Sequence, residues 1–353
     1  MTVGLATVLK RVAGALRGDA DAGDRIISLQ TAFGGGKTHT LVALWHLAKH
    51  ASVLKTSPHT TELRRVLEDR FPETVQGVAV FTNATCDVTQ GRRTPEEIRT
   101  RTLWGELAVQ LGGLPAGQAG TSLYEKVRAN DEHMRVPQGI FVEVLREAAP
   151  CLILLDELAD HCVGAAAVPV GDLSAGQAGA TLADQTISFV QQLTEAVQQV
   201  PGAALVATLP ASKYEVAQSE KGQVAFVTLE KRFQRLGADV RPVADDEIYE
   251  VVRARLFESI TPPEEPDYPI KVARVYQERY AAHSGEVPNE ASKKTYREQI
   301  ARAYPFHTLL IDALYTRWGS HPDFQRTRGV LRLLAGIVGD LWQRREGILR
   351  LSI

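Results

Sequence analysis

At 353 residues, with 44% hydrophobic and 23% charged content, the chain has the makeup of an ordinary globular protein, long enough for one large domain or two moderate ones. A formal net charge of −2 gives no overall case for a nucleic-acid or membrane partner. No apolar run approaches the roughly 18 residues that cross a bilayer, and the start MTVGLATVLKRVAGALRG lacks a signal-peptide core, so the cytoplasm is the expected compartment and no membrane partner is expected.

Five short apolar, β-branched runs, Ile26–Thr31, Val78–Asn83, Cys151–Asp156, Ala203–Thr208 and Ala238–Val243, alternate with helical patterns. That alternation predicts an α/β domain, a three-layer αβα arrangement around a five-stranded, mostly parallel sheet. Before the third run, Ile140, Phe141, Val144, Leu145 and Ala148 fall on one helix face, and Pro150 closes the helix. Ile187, Val190, Leu193 and Val197 do the same before the fourth. Between these two stretches, VGAAAVPVGDLSAGQAGATLAD is small and glycine-rich and reads as a mobile loop. The three cysteines, Cys86, Cys151 and Cys162, are too few and too unevenly spaced for a zinc site or a disulfide framework, and His161-Cys162 reads as a loop after a buried strand.

After the fifth run, Asp245-Asp246-Glu247 offers a cap for a helix that turns Ile248, Val251, Val252 and Leu256 inward. The segment ITPPEEPDYP that follows holds four prolines and three acids and reads as a linker. The expected organisation is an α/β domain over 1–258, a linker over 259–269 and a small α-helical lid domain over 270–353. In the last part Phe306, Leu309, Leu310, Ala313, Leu314 and then Val330, Leu331, Leu334, Val338, Leu341 carry the helical period. From Lys293 on there are eleven Lys/Arg against five Asp/Glu, either solvated helix faces or a basic surface toward phosphates.

The stretch LQTAFGGGKTHT carries the chemistry. It follows a strand and opens a helix whose apolar face is Leu41, Leu44, Trp45 and Ala48. A phosphate cradle needs backbone N–H groups at a helix start, a lysine for the β- and γ-phosphates and a hydroxyl for Mg²⁺. Gly34, Gly35 and Gly36 supply the permissive backbone, Lys37 the charge and Thr38 the hydroxyl. The usual first glycine of such a loop is replaced by Thr31. His39, next in line, is expected to pack. In CLILLDELAD the third run ends on Asp156-Glu157, at the strand edge where open α/β sheets place their ligands. Asp156 is the candidate Mg²⁺ residue, through water, and Glu157 the residue that orients the attacking water.

The run Val78–Asn83 lies between these two motifs in the chain. That predicts a further strand between the loop-bearing strand and the Asp-Glu strand. This pattern points to ATP hydrolysis by a P-loop ATPase with a catalytic glutamate rather than to a small-molecule kinase. In ATPases of this kind the fourth run lies between the first and third. At the tip of the fourth run Thr208, with Ser212 behind it, is the candidate polar residue for the attacking water. Arg232 and Arg235 precede the fifth run, where an arginine can reach the γ-phosphate of a neighbouring subunit. Arg326, Arg328 and Arg332 open a lid helix, with Arg328 facing the nucleotide. Surface ion pairing is the common alternative for all of these arginines.

The order of parts resembles that of AAA+ ATPases. More narrowly, LQTAFGGGKTHTL, RTLWGELAVQLGG, CLILLDELAD and YPFHTLLIDALYTRWGSHPDFQRTRGVLRLLA resemble a family of large prokaryotic ATPases catalogued as domain of unknown function 499. The resemblance implies that the absent first glycine is a family trait. It also implies that the chain is a fragment or trimmed form of a larger protein. The expected role is an Mg²⁺-dependent ATPase with ATP and Mg²⁺ as cofactors, coupling hydrolysis to DNA-directed defence against phage. Expected partners are DNA, defence-system methyltransferase and helicase proteins, and further copies of the chain. The alternative is a nucleotide-gated switch or scaffold that recruits effectors with little turnover.

Overall fold

In the computed structural model, residues 1–344 are described apart from 22, 31–35, 96, 113–118, 171–179, 211–219, 244–246, 259, 261–264 and 319–326. They form two units that divide between Pro242 and Val243.

The first unit is built on five strands: β1 (Ile26–Gln30), β2 (Gly77–Thr82), β3 (Cys151–Asp156), β4 (Ala203–Leu209) and β5 (Ala238–Val240). Every pair in the sheet is parallel, and the order is β2-β3-β4-β1-β5. The strand that separates β1 from β3 is therefore β4, while β2 stands at the edge beside β3. The fifth strand is shorter than its apolar run, ending at Val240.

Continuous burial of β3 and β4 follows from coverage on both faces, and residues along each strand alternate between the two. On one side Phe81, Ile153, Leu155, Leu205 and Ala207 pack under the helices Leu103–Leu111, Ile140–Ala148, Leu158–Ala165, Leu182–Gln199 and Glu220–Leu236. On the other, Ile27, Leu29, Leu152, Leu154 and Val206 pack under Val3–Arg17 and Lys37–Lys49. Phe141, Val144, Leu145 and Ala148 are buried as their spacing predicts, as are Val190, Leu193 and Val197. Helix starts carry their signals: Thr102 accepts from Gly105 N–H, and Thr181 with Asp184 closes a capping box. The middle of the glycine-rich stretch, 171–179, lies outside the described residues. His161 and Cys162 sit in the helix Leu158–Ala165 rather than in a loop, because Leu158, Ala159, Cys162 and Ala165 give that segment a buried face.

The second unit is helical, with Ile248–Leu256, Tyr268–Ala282, Lys294–Ala303, Thr308–Asp312 and Thr327–Arg344 as its α-helices. Its core joins Ile248, Tyr249 and Val252 to Ala303, Ile311, Leu314, Val330 and Leu334. This moves the boundary expected at 258. The helix Ile248–Leu256 shares its core with the helices that follow it, so the proline-rich segment lies within the second unit. Asp245 and Asp246 fall outside the described residues, and Glu247 stands at the N-cap position without a side-chain capping bond there. Two parts of the expected core also differ. Leu309 and Leu310 are exposed while Thr308 and Ile311, three residues apart, are buried, and the helix then passes into a π-turn at Ala313–Arg317 that buries Leu314. Leu341 is exposed, because only Val330 and Leu334 of the last helix reach the core fully.

No helix among the described residues is long and apolar enough to cross a membrane.

Candidate functional site

Strands β1, β3 and β4 end together. Leu29 is in register with Thr208, Gln30 with Leu209, and Leu155 with Ala207, so the residues just past these positions share one edge of the sheet. The chain leaving β1 passes through 31–35, which includes Gly34 and Gly35 and lies outside the described residues. It re-enters at Gly36 and begins a 13-residue helix at Lys37. Gly36 is the N-cap, with φ of 83°, a left-handed backbone that favours glycine. The hydroxyl of Thr40 donates to Gly36 C=O at 2.9 Å and locks the first turn.

Asp156 is the hub. Only 8% exposed, it accepts on Oδ2 from the Thr38 hydroxyl at 3.1 Å and on Oδ1 from the Thr208 hydroxyl at 2.6 Å. Three segments distant in sequence thus converge on one carboxylate. Thr208 does a second job, accepting from the backbone N–H of Glu157 at 3.3 Å. Its position confirms its place at the strand tip, but its hydroxyl is engaged with Asp156 and Glu157.

Glu157 has φ of 55° and ψ of 31°. A non-glycine residue in this region costs on the order of 1–3 kcal/mol and persists where the surroundings enforce it. Here Asp156 ends the strand and Leu158 starts a helix whose buried face fixes its direction, so Glu157 takes the whole turn. The result is an exposed carboxylate standing past the strand end beside a buried one.

A third carboxylate was not singled out in the sequence. Asp160, half-buried in the first turn of the helix after Glu157, has its pKa raised from the ordinary value of an aspartate. Burial is the main cause, the negative charge of Glu157 comes next, and Lys37 partly offsets both. Lys37 therefore lies within electrostatic reach of the acidic group. The signal was present in DELAD, where an acid four residues after Asp156 returns to the same region.

A hard cation with oxygen preference suits this donor set: the Thr38 hydroxyl and the Asp156 carboxylate are both oxygen ligands of the kind Mg²⁺ takes, directly or through water. Among the described residues no group of three or more His, Cys, Asp or Glu forms a ready-made metal cage. His39 is exposed, while Thr40 and Leu41 after it are turned inward and buried. His161 is buried with its ring edge-on to Phe81, and Cys162 is buried beside it in sequence, its thiol pushed up to about 12 by desolvation.

The arginines are less defined. Arg232 is half-buried and Arg235 exposed near the end of the helix Glu220–Leu236. Arg328 and Arg332 are exposed on the last helix, and Ser212 and Arg326 lie outside the described residues.

Residues 1–238 match the DUF499 N-terminal domain, and residues 243–351 match the DUF499 second domain. The chain belongs to the DUF499 family. The junction between the two DUF499 domains coincides with the division of the structure at Pro242. Thr38, Asp156, Glu157 and Thr208 all belong to the DUF499 N-terminal domain, whereas Arg328 belongs to the second. No curated protein and no solved structure matches the chain at a significant level.

Proposed function

We propose that this DUF499 protein binds ATP with Mg²⁺ and hydrolyses it. The observation that carries the reading is the meeting of the Thr38 and Thr208 hydroxyls on the two oxygens of Asp156, at the sheet edge where the Lys37 helix begins. The strand order, with the glycine-rich segment after β1, the Asp-Glu pair after β3 and β4 between them, supports a P-loop nucleotide hydrolase of the AAA+ type.

In this reading Gly34, Gly35 and Gly36 approach the phosphates with backbone N–H groups, the start of the helix favours their negative charge, and Lys37 meets the β- and γ-oxygens. Bound Mg²⁺, held by Thr38 and by Asp156 through water, would neutralise charge on the β- and γ-phosphates. Glu157 orients a water whose oxygen bonds to the γ-phosphorus while the bond from that phosphorus to the bridging oxygen breaks. The proton of the water passes to the Glu157 carboxylate, and ADP and phosphate leave. Thr208 sets the angle between the buried and the exposed carboxylate. Arg235, in trans in a homo-oligomer, and Arg328 complete the proposal as cations for the γ-phosphate. The work driven would be on DNA, in defence against phage with methyltransferase and helicase partners, as the family resemblance implies.

Titration of a fluorescent ATP analogue tests the binding half of this reading. Saturable binding that strengthens with Mg²⁺ and weakens at least about tenfold in Lys37→Ala is the expected result. Binding indifferent to both would refute it.

A further inference from the structure

The segment between β2 and the helix Leu103–Leu111 holds a small antiparallel ribbon, Arg92–Arg93 paired with Arg99–Thr100. The chain leaves β2 at Thr82, which is in register with Asp156, and reaches the ribbon ten residues later at Arg92. Side chains alternate along it. Thr100 points inward and is buried, while Arg99 and Arg101 on either side of it are exposed, as is Arg93.

The base of the ribbon is fixed by two buried carboxylates. Glu106, 1% exposed, takes both Arg92 Nε at 2.9 Å and the Thr100 hydroxyl at 2.8 Å on its Oε2. Asp131, fully buried, accepts from the N–H groups of Arg101 and Thr102, from the Thr102 hydroxyl and from Tyr124 Oη. Burying two carboxylates is costly unless they are fully hydrogen-bonded, and here they are bonded to the ribbon's own base. The platform is therefore rigid where it joins the domain.

On its outer face Arg93 and Arg99 stand directly opposite each other across the ribbon. Like charges in that position are destabilising. Arg99 is held by a bond from its Nε to Gln90 C=O at 2.8 Å. Arg101 follows two residues later on the same side. Among the described residues the acids nearby are Glu97, which pairs with Arg93 at 3.2 Å while both are largely exposed, and Asp87, whose carboxylate is turned onto the N–H groups of Thr89 and Gln90. An exposed pair of that kind is weak and is readily exchanged for a stronger anion.

We infer that Arg93, Arg99 and Arg101 form a contact surface for the phosphodiester backbone of a nucleic acid. Guanidinium groups bind phosphate oxygens in paired fashion. A repulsive cross-strand pair gains most from an anion placed between its members. Among the described residues the outer face carries no exposed aromatic ring for stacking on bases, so the contact positions the backbone without reading sequence. The inference deepens the DNA-directed part of the proposed function and rests on it for the choice of ligand, while the geometry of the ribbon is independent of nucleotide.

The test is equilibrium binding of labelled random-sequence DNA, duplex and single-stranded, to the full chain over a range of salt concentrations. The variants are the triple Arg93→Ala/Arg99→Ala/Arg101→Ala and its triple lysine counterpart. For whichever DNA form binds, the alanine variant should lose affinity equally across sequences, and its slope of log affinity against log salt should fall by about 1 for each arginine that meets a phosphate. The lysine variant should keep most of the slope. An unchanged slope in the alanine variant, with thermal unfolding like wild type, overturns the inference, as does binding of polyglutamate in preference to DNA through the same three residues. ATP-analogue binding by the alanine variant keeps the two readings apart: it should stay at the wild-type level, and failure of Lys37→Ala to weaken it would count against the nucleotide site alone.

Discussion

Asp156 is held by hydroxyls from two other segments, and that makes Thr208 the most informative single residue in the site. Thr208→Val keeps the β-branched shape that suits a strand but removes the donor to Asp156 and the acceptor for Glu157 N–H. A loss of about 1–3 kcal/mol in stability is expected, because a buried carboxylate loses one of its two side-chain donors. Thr208→Ser should recover most of it, and urea unfolding of both variants checks the pair. Asp156, Glu157, Lys37 and Thr38 were legible in the sequence because each belongs to a short contiguous motif. Asp160 was not singled out, since its involvement depends on the turn at Glu157 and on the burial of the next helix.

His161 gives a pH signature of its own. Desolvation pulls its pKa from 6.5 down to about 4, and neither ring nitrogen has a hydrogen-bond partner among the described residues. The unfolded chain therefore binds a proton between these values that the folded protein does not. The stability is fully present above pH 6.5 and is lost as pH falls toward 4, by up to on the order of 3 kcal/mol. His161→Leu should show a smaller drop in unfolding free energy between pH 7 and pH 5 than wild type. Equal drops would mean that His161 is protonated within the fold.

At the scale of elements, the edge strand β2 shows what the pattern of apolar residues leaves out. Val80 on its open side is closed by a side chain: Gln110 Oε1 accepts from Val80 N–H at 2.7 Å, and Gln110 Nε2 donates to Val80 C=O at 2.8 Å. The glutamine amide stands in for the peptide group of a sixth strand and blunts the edge. Gln110→Leu should cost about 1–3 kcal/mol and speed hydrogen exchange at Val80, since both backbone groups would lose their partner. Gly105 plays a related part. A Cβ there would lie 2.2 Å from Asp131 Oδ1, so Gly105→Ala must displace the carboxylate that anchors the ribbon. A loss of about 1–3 kcal/mol in thermal or urea unfolding is expected.

The helices Lys37–Lys49, Ile140–Ala148 and Leu182–Gln199 could be placed in sequence because their apolar period is regular, whereas Leu158–Ala165 read as a loop. The helix from Thr308 was expected, but its buried face was not: Thr308, Ile311 and Leu314 are buried in place of Leu309 and Leu310. The ribbon was missed for a different reason. Its strands are two residues long, and what holds them is a set of buried polar contacts that apolar spacing does not register.

For the molecule as a whole, a strand between the loop-bearing strand and the Asp-Glu strand was expected and is found as β4, while the edge position of β2 and the division between units were not legible. The prolines of 262–269 looked like a linker, yet the core of the helical unit already includes Ile248, Tyr249 and Val252. A burial pattern of three residues on a nine-residue helix does not say which neighbour covers it, and tertiary packing decided the matter. In the proposed function the convergence on Asp156 serves hydrolysis of a bound nucleotide, with Glu157 as the residue that acts on water. The most direct test is phosphate release from Mg²⁺-ATP by wild type and Glu157→Gln, with nucleotide binding measured on the same samples. Wild type should release phosphate, and Glu157→Gln should bind nucleotide as wild type does while turning it over about 10²-fold or more slowly. Phosphate release at the same rate in both, or none from wild-type protein that binds nucleotide, would contradict it.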